Sequence, residues 1–223
     1  MAKYDIILFD LDGTLTEPKE GITRSVQYAL AKFGIYENDL DSLVKFIGPP
    51  LKDSFIKYYY LDEKQAWQAV LFYREYFAKK GMFENAVFEG IPELLHDLKD
   101  MGKKLAVATS KPTFYSEKIL DYFKIAKYFT LVAGSNLDGT RVIKTEIIRY
   151  ALEETAGGIT SGVVMVGDRE HDIIGARENG IDSIAVTYGY GSVTELRKAQ
   201  PAHLAGSVID LEKILCGFSQ GNN

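Results

Sequence analysis

The sequence predicts an α/β fold, a parallel-sheet core interrupted near its start by a block of helices. Short apolar runs that end in polar residues recur from Lys104 onward, each followed by a helical pattern. That alternation requires a parallel sheet with right-handed crossovers. One further run, Asp5-Ile6-Ile7-Leu8-Phe9-Asp10-Leu11-Asp12-Gly13-Thr14-Leu15, stands close to the N-terminus. Between it and the next convincing strand, the stretch from about Thr16 to Asn85 is helical only. Residues 1–15 and 86–223 are therefore assigned to the α/β core and 16–85 to an inserted helical domain.

The N-terminal run lacks Pro and Gly and is rich in Ile, Leu and Phe, which marks a strand buried on both faces. Glu17 to Gly21 reads as a connector. Ile22, Val26, Ala29 and Phe33 then recur at helical spacing, with Gly34 as terminator. Further helical patterns cover Leu40 to Ile47 and Leu51 to Tyr59, separated by Gly48-Pro49-Pro50. A longer one runs from Glu63 to Lys80, with Ala66, Val70, Tyr73 and Phe77 on one stripe. In the core, a helix from Ile91 to Met101 leads to a strand from Lys104 to Thr109, and a helix from Pro112 to Phe123 follows. A strand from Phe129 to Ala133 precedes a helix from Lys144 to Thr155. The strand Gly162 to Val166 precedes a helix from Arg169 to Asn179, and the strand Ser183 to Thr187 a short helix near Thr194. The core is thus a Rossmann-like parallel sheet. The polar tail Ser219 to Asn223 is expected to fray.

Composition narrows the function. With 46% hydrophobic and 26% charged residues in 223, the chain has material for a sizeable core. A net charge of −5 without a long basic cluster argues against nucleic acid as a partner. No stretch approaches the ~20 apolar residues needed to span a bilayer. The N-terminus lacks the pattern of a secretory signal, and the single cysteine, Cys216, excludes an intrachain disulfide. A soluble, cytoplasmic protein, monomeric or weakly homo-oligomeric, is expected.

The chemistry gathers at the strand ends, the edge of an open α/β sheet where ligands bind. Asp10 and Asp12, two apart on extended backbone, project the same way, so one carboxylate can attack while the other handles a proton. A turn explains Asp-x-Asp-Gly equally well. A calcium loop does not, because its third ligand would be Thr14 and its bidentate acid Gly21. Thr109-Ser110-Lys111-Pro112 offers a hydroxyl and free N–H groups ahead of a helix, suited to an anion, although plain helix capping accounts for it too. Lys144 at a helix start opposes the helix dipole, which makes a function more plausible there than at a helix end, and a solvated surface lysine explains it about equally well. Asp168 and Asp172 sit across a helix start and could complete a cation site with Asp10 and Asp12. Carboxylates so gathered repel unless a hard cation neutralises them, and oxygen ligands favour Mg²⁺.

These four segments, in order, resemble the motifs of the haloacid dehalogenase-like hydrolases: Asp10 to Thr14, then Thr109, then Lys144, then Gly167-Asp168 with Asp172. The insertion resembles that family's helical cap, and Gly48-Pro49-Pro50-Leu51 the substrate-facing cap segment of its phosphoglycolate phosphatase branch. Gly167 to Asp172 resembles the related 5′-nucleotidases. The resemblance implies an Mg²⁺-dependent phosphatase for a small phosphorylated metabolite, phosphoglycolate or a nucleoside 5′-monophosphate. Asp10 would be the nucleophile that forms an aspartyl-phosphate and Asp12 the acid and base. Thr109, Ser110 and Lys144 would bind phosphate. Asp10, Asp12 through its carbonyl, and Asp168 would hold the metal, with Asp172 behind them. Arg24, on the first cap helix, would reach the substrate's distal group unless it faces solvent. A β-phosphoglucomutase-like phosphomutase shares the motifs and is the rival reading; a non-enzymatic module switched by a phospho-aspartate would explain the carboxylates and the lysine but gives the helical insertion no role.

Overall fold

The structure, a computed structural model, describes residues 3–217, so the tail from Ser219 lies outside the described residues. The chain divides into two compact units. One runs up to Thr16 and resumes at Val87, and the other is Glu17–Ala86.

The first unit is built on a six-stranded sheet of order β5-β4-β1-β6-β7-β8. Its strands are β1 (Ile6–Phe9), β4 (Lys104–Pro112), β5 (Leu131–Ser135), β6 (Val163–Gly167), β7 (Asp182–Val186) and β8 (His203–Ala205). The ladders are parallel, and β1 pairs on one side with β4 (Phe9 opposite Val107) and on the other with β6 (Phe9 opposite Val166). From β1 the chain adds β4 and β5 outward, then returns to the far side of β1 for β6, β7 and β8. The direction of growth reverses at β1, which makes the carboxyl end of that strand the switch-point crevice of the sheet.

The apolar runs read from the sequence form the central strands because both of their faces are covered. Leu8, Ala106, Ala108 and Met165 pack with Ile147, Ile148, Ala151 and Leu152 of helix α6 (Lys144–Ala156) in one buried cluster. The small alanines of β4 leave room for α6 to close on the sheet. Further along, Ile173 of helix α7 (Glu170–Glu178) meets Ala185 of β7 and Leu196 and Ala199 of helix α8 (Val193–Ala199). Helices α4 (Ile91–Asp100), α5 (Thr113–Tyr122) and α9 (Val208–Cys216) complete the unit, and Cys216 is a buried free thiol.

The second unit is helical. It contains α1 (Lys19–Ala31), a 3₁₀ helix (Leu40–Phe46), α2 (Leu51–Tyr59), α3 (Glu63–Tyr76) and a π-helical turn, Phe77–Gly81. Its core gathers Ile22, Val26, Ala29, Leu43, Phe46, Phe55, Ala66, Val70 and Phe77, all buried. Helix α3 begins at a capping box in which the Asp62 carboxylate accepts the Gln65 N–H at 2.8 Å and the Gln65 side chain accepts the Asp62 N–H at 3.0 Å. Where the chain leaves and re-enters the first unit, β2 (Thr16–Glu17) and β3 (Ala86–Val87) form a two-stranded sheet.

Several boundaries differ from the sequence reading. Helix α1 stops at Ala31 and Gly34 adopts a φ of +73°, so Phe33 falls outside the helix and packs instead against Phe72, ring centroids 6.0 Å apart. The third cap helix ends in a π turn from Phe77 rather than running as α-helix to Lys80. The strands β2, β3 and β8 and the helix α9 were not anticipated. The first three are too short for a periodicity to show, at two, two and three residues. Strand β4 extends three residues beyond the expected end at Thr109, to Pro112.

Candidate active site

Strand β1 delivers Asp10 and Asp12 to the switch point, but not as consecutive outward positions of one strand. The strand ends at Phe9, and both acids lie in the segment that follows it. The Asp10 N–H still bonds to the Val166 carbonyl at 2.8 Å, while beyond it the chain turns around the Leu11 carbonyl, which accepts the N–H groups of Leu15 and Thr16, both at 2.9 Å. Gly13 makes the turn possible with a φ of +84°, and a Cβ there would fall 2.2 Å from Asp168 Oδ2. The result is that Asp10 and Asp12 meet different partners.

Asp10, 5% exposed, receives Lys144. The lysine opens α6 and is itself buried, its Nζ standing 2.8 Å from Asp10 Oδ1, 2.7 Å from Asp172 Oδ1 and 3.0 Å from the Ala108 carbonyl. Burial pulls its pKa down, but the two carboxylates more than offset that and hold it above the ordinary lysine range. Of the two readings left open for Lys144, the solvated surface lysine is thereby set aside.

Asp12 receives a lysine the sequence reading had given no role. Lys111 Nζ lies 2.8 Å from Asp12 Oδ2, and both side chains are buried. A pairing irregularity brings it there. Ala108 is opposite Ala133 and Pro112 opposite Ser135, so β4 takes four steps where β5 takes two, and Thr109 to Lys111 bulge out of the ladder. Bulges of this kind re-aim side chains beside functional sites. Within the bulge the Lys111 N–H donates to Thr109 Oγ1 at 3.3 Å, and the Ser110 carbonyl accepts the Ser135 hydroxyl at 2.8 Å. Pro112 is the residue before α5 rather than its first, which corrects the expected helix start. Burial outweighs Lys111 at Asp12 and leaves that carboxyl above its usual range.

The fourth segment closes the cluster. Asp168 follows β6 and Asp172 lies in the first turn of α7, both 1% exposed. Asp172 spends one oxygen on Lys144 and the other on the Arg169 N–H, 3.0 Å away. Its approach requires Gly167, since a Cβ there would lie 2.2 Å from Asp172 Cγ. Asp168 Oδ2 accepts the Tyr190 N–H at 2.7 Å, while its Oδ1 is buried with no hydrogen-bond partner, as are Asp12 Oδ1, Thr14 Oγ1 and, apart from its ion pair with Lys144, Asp172 Oδ1. Tyr188 donates to the Thr14 carbonyl at 3.1 Å, another contact the sequence gave no sign of.

One carboxylate oxygen from each of Asp10, Asp168 and Asp172 lies within 4.8 Å of the others. Burial first, then the charges of Asp10 and Asp172, push the Asp168 carboxyl well above its ordinary range. An orphaned buried oxygen inside an all-oxygen cluster that outnumbers its one lysine fits a small hard cation. Asp10, Asp12, Thr109, Lys144, Asp168 and Asp172 therefore stand together at one sheet edge, with Ser110 on the adjoining bulge. Arg24 and Gly48 belong to the helical unit. There Arg24, partly exposed, pairs with Glu20 at 2.8 Å and borders a cleft of about 440 Å³ with Tyr28, Tyr36 and Tyr76. Gly48 precedes the Pro49-Pro50 pair with a φ of +102°.

Comparison with known proteins gives consistent matches. The family model described as haloacid dehalogenase-like hydrolase matches residues 7–186. A 5′-nucleotidase of Pseudomonas aeruginosa is 50% identical over 213 residues, covering 96% of each chain. The tyrosine-protein kinase PtkA of Mycobacterium tuberculosis is 38% identical over 186 residues, which are 83% of this chain and 63% of that one. A phosphoglycolate phosphatase of Caulobacter vibrioides is 30% identical over 195 residues, covering 82% of this chain and 79% of its own. The crystal structure of a predicted phosphatase from Clostridium acetobutylicum superposes with a TM-score of 0.93 at 52% identity, covering 96% of this chain and 99% of that one.

Proposed function

Because the chain belongs to the haloacid dehalogenase-like hydrolases and is a phosphoric monoester hydrolase, we propose that it cleaves a nucleoside 5′-monophosphate through an aspartyl-phosphate on Asp10, with Mg²⁺ as cofactor. The observation that carries this reading is the pairing of each of two neighbouring buried aspartates with its own buried lysine, Asp10 with Lys144 and Asp12 with Lys111. Two carboxylates in such different settings suit two different tasks.

In the first step Asp10 Oδ attacks phosphorus, a P–O bond to Asp10 forms, and the ester P–O bond breaks. The departing oxygen takes the proton of Asp12 and leaves as the nucleoside hydroxyl. In the second step water attacks the phosphoryl group, Asp12 takes its proton, and Asp10 is released with inorganic phosphate. Lys144 holds Asp10 in place and offsets the repulsion between a carboxylate nucleophile and a phosphate dianion. Thr109 and the Ser110 N–H bind the phosphoryl oxygens. Asp10, the Asp12 carbonyl and Asp168 would hold Mg²⁺, which supplies charge neutralisation at the phosphoryl oxygens. Asp172, which ion-pairs with Lys144 and accepts the Arg169 N–H, fixes Lys144.

The identity of the leaving group rests on the 5′-nucleotidase that is 50% identical along nearly the whole chain, against 30% for the phosphoglycolate phosphatase. Residues 16–85 are assigned the role of the family's helical cap, with Arg24 and Gly48 as its candidate specificity residues. Assay of a panel of nucleoside monophosphates, phosphoglycolate and sugar phosphates, with Mg²⁺ and with chelator, tests this. Release of free phosphate, fastest from nucleotides and abolished by chelator, is the expected result. Sugar-phosphate isomerisation without free phosphate, or transfer to another acceptor, overturns it.

A further inference from the structure

We infer that Lys111 is a positioning residue for leaving-group protonation, acting through the buried ion pair that its ammonium makes with the Asp12 carboxylate. The inference deepens the proposed function and rests on it. Lys111 Nζ is 2.8 Å from Asp12 Oδ2 with both side chains almost wholly buried. A lysine that merely follows a strand would turn to solvent, where its ammonium is well hydrated. Here the backbone departs from regular pairing, the bulge between Ala108 and Pro112, and the side chain is carried inward by it. The bulge is in turn fixed from β5, because the Ser135 hydroxyl donates to the Ser110 carbonyl and a Cβ on Gly134 would lie 2.4 Å from the Lys111 carbonyl. Lys111 thus stands on a shaped support, in contact with the Asp12 carboxylate.

That carboxylate has a specific need. When Asp12 gives its proton to the departing oxygen, it becomes a buried anion, and a buried anion requires a counter-charge. Lys144 already serves Asp10 and Asp172, so Lys111 is the ammonium in ion-pair contact with Asp12. With one oxygen of Asp12 held in this way, the other, Oδ1, is buried and has no hydrogen-bond partner of its own. Lys111 therefore orients the acid and offsets the charge that develops on it, without itself exchanging a proton.

Leaving-group dependence provides the test. An alkyl phosphate needs protonation of its departing oxygen, whereas p-nitrophenyl phosphate departs as a stable phenolate and does not. The quantity to compare is kcat/KM, which reads only through the first phosphoryl transfer. Lys111→Met is expected to lose about 10²-fold on a nucleoside 5′-monophosphate and only a few-fold on p-nitrophenyl phosphate. Lys111→Arg should recover part of the loss. Asp12→Asn should show the same selectivity, and adding Lys111→Met to it should cost nothing more, since the two act as one unit. The double variant removes the Asp12 carboxylate that Lys111→Met would leave buried without its ion pair, so it decides the question even where Lys111→Met folds poorly. Equal losses on both esters, or a further selective loss in the double variant, would overturn the role of Lys111 while leaving the hydrolase reading intact. A wild-type chain that hydrolyses neither ester overturns that reading and this inference with it.

Discussion

Lys144, at the head of α6, and Asp10, at the end of β1, meet at 2.8 Å across 134 positions of sequence, and both are buried. A lysine at a helix N-terminus faces the positive end of the dipole, so its place there is stabilised by the two carboxylates it joins. Replacing it with Met leaves Asp10 and Asp172 buried without their counter-charge. Breaking a buried pair in this way costs about 3–5 kcal/mol. Chemical denaturation of Lys144→Met should show a loss of that order, together with loss of turnover. A variant as stable as wild type would mean that the pair is open to water in solution.

Asp10 and Asp12 are separable by trapping. Asp10→Asn removes the attacking oxygen and is expected to lower kcat by about 10⁴-fold or more. Rapid acid quench of wild type with a ³²P-labelled ester should leave label on the protein, and Asp10→Asn should carry none. Asp12→Asn should still become labelled from p-nitrophenyl phosphate and then turn over slowly, because its second step lacks a base. Label persisting in Asp10→Asn would move the nucleophile elsewhere.

Asp168 is destabilising by itself. Burial and two neighbouring carboxylates disfavour its charge, and one of its oxygens has no hydrogen-bond partner. Asp168→Asn is therefore expected to raise the melting temperature of the metal-free protein. The same change should abolish the further rise that Mg²⁺ gives the wild type, an effect that follows mass action with metal concentration. An unchanged Mg²⁺ response in Asp168→Asn would remove that residue from the ligand set.

How much of this was visible in the chain depends on how local each cause is. Asp10, Asp12, Asp168 and Asp172 stand out because each follows an apolar strand, where a polar residue marks the ligand edge of the sheet. Lys144 stands out because its charge opposes a helix start. Lys111 does not, because the cause of its inward course lies in the pairing of β4 with β5, a relation between Ala108 and Ala133 and between Pro112 and Ser135 that no single segment carries. Strand β8 was equally hidden. Its three residues include two exposed side chains, His203 and Leu204, and it is a strand because Ile184 to Val186 offer a ladder for it.

Gly167 supplies a prediction about space alone. It ends β6, and a methyl group there would fall 2.2 Å from Asp172 Cγ and 2.3 Å from its Oδ2. Neither atom can yield freely, since Asp172 is held by Lys144 and by the Arg169 N–H. Gly167→Ala should displace Asp172 and loosen Lys144, lowering kcat far more than it raises KM for substrate. A variant with wild-type kcat would show that the Asp172–Lys144 contact has no part in the reaction.

A pH prediction lies away from the site, where Asp182 of β7 receives the Lys3 ammonium at 2.6 Å and the Tyr4 hydroxyl at 2.9 Å on the same oxygen. The Lys3 hydrogen bond first, then that of Tyr4, hold the carboxyl below its ordinary range in the folded protein. Its folded pKa is thus lower than its unfolded value of about 3.9, and the unfolded chain binds the extra proton in between. The contribution is complete above about pH 5 and is lost as pH falls through the folded value. Asp182→Asn should melt below wild type at pH 7, with the gap closing as the solution is taken under about pH 4. Because Lys3 is largely exposed, the gap should also narrow in about 1 M salt, where screening acts within a few ångströms. A gap that persists unchanged into acid would assign the difference to packing around Tyr4 rather than to charge.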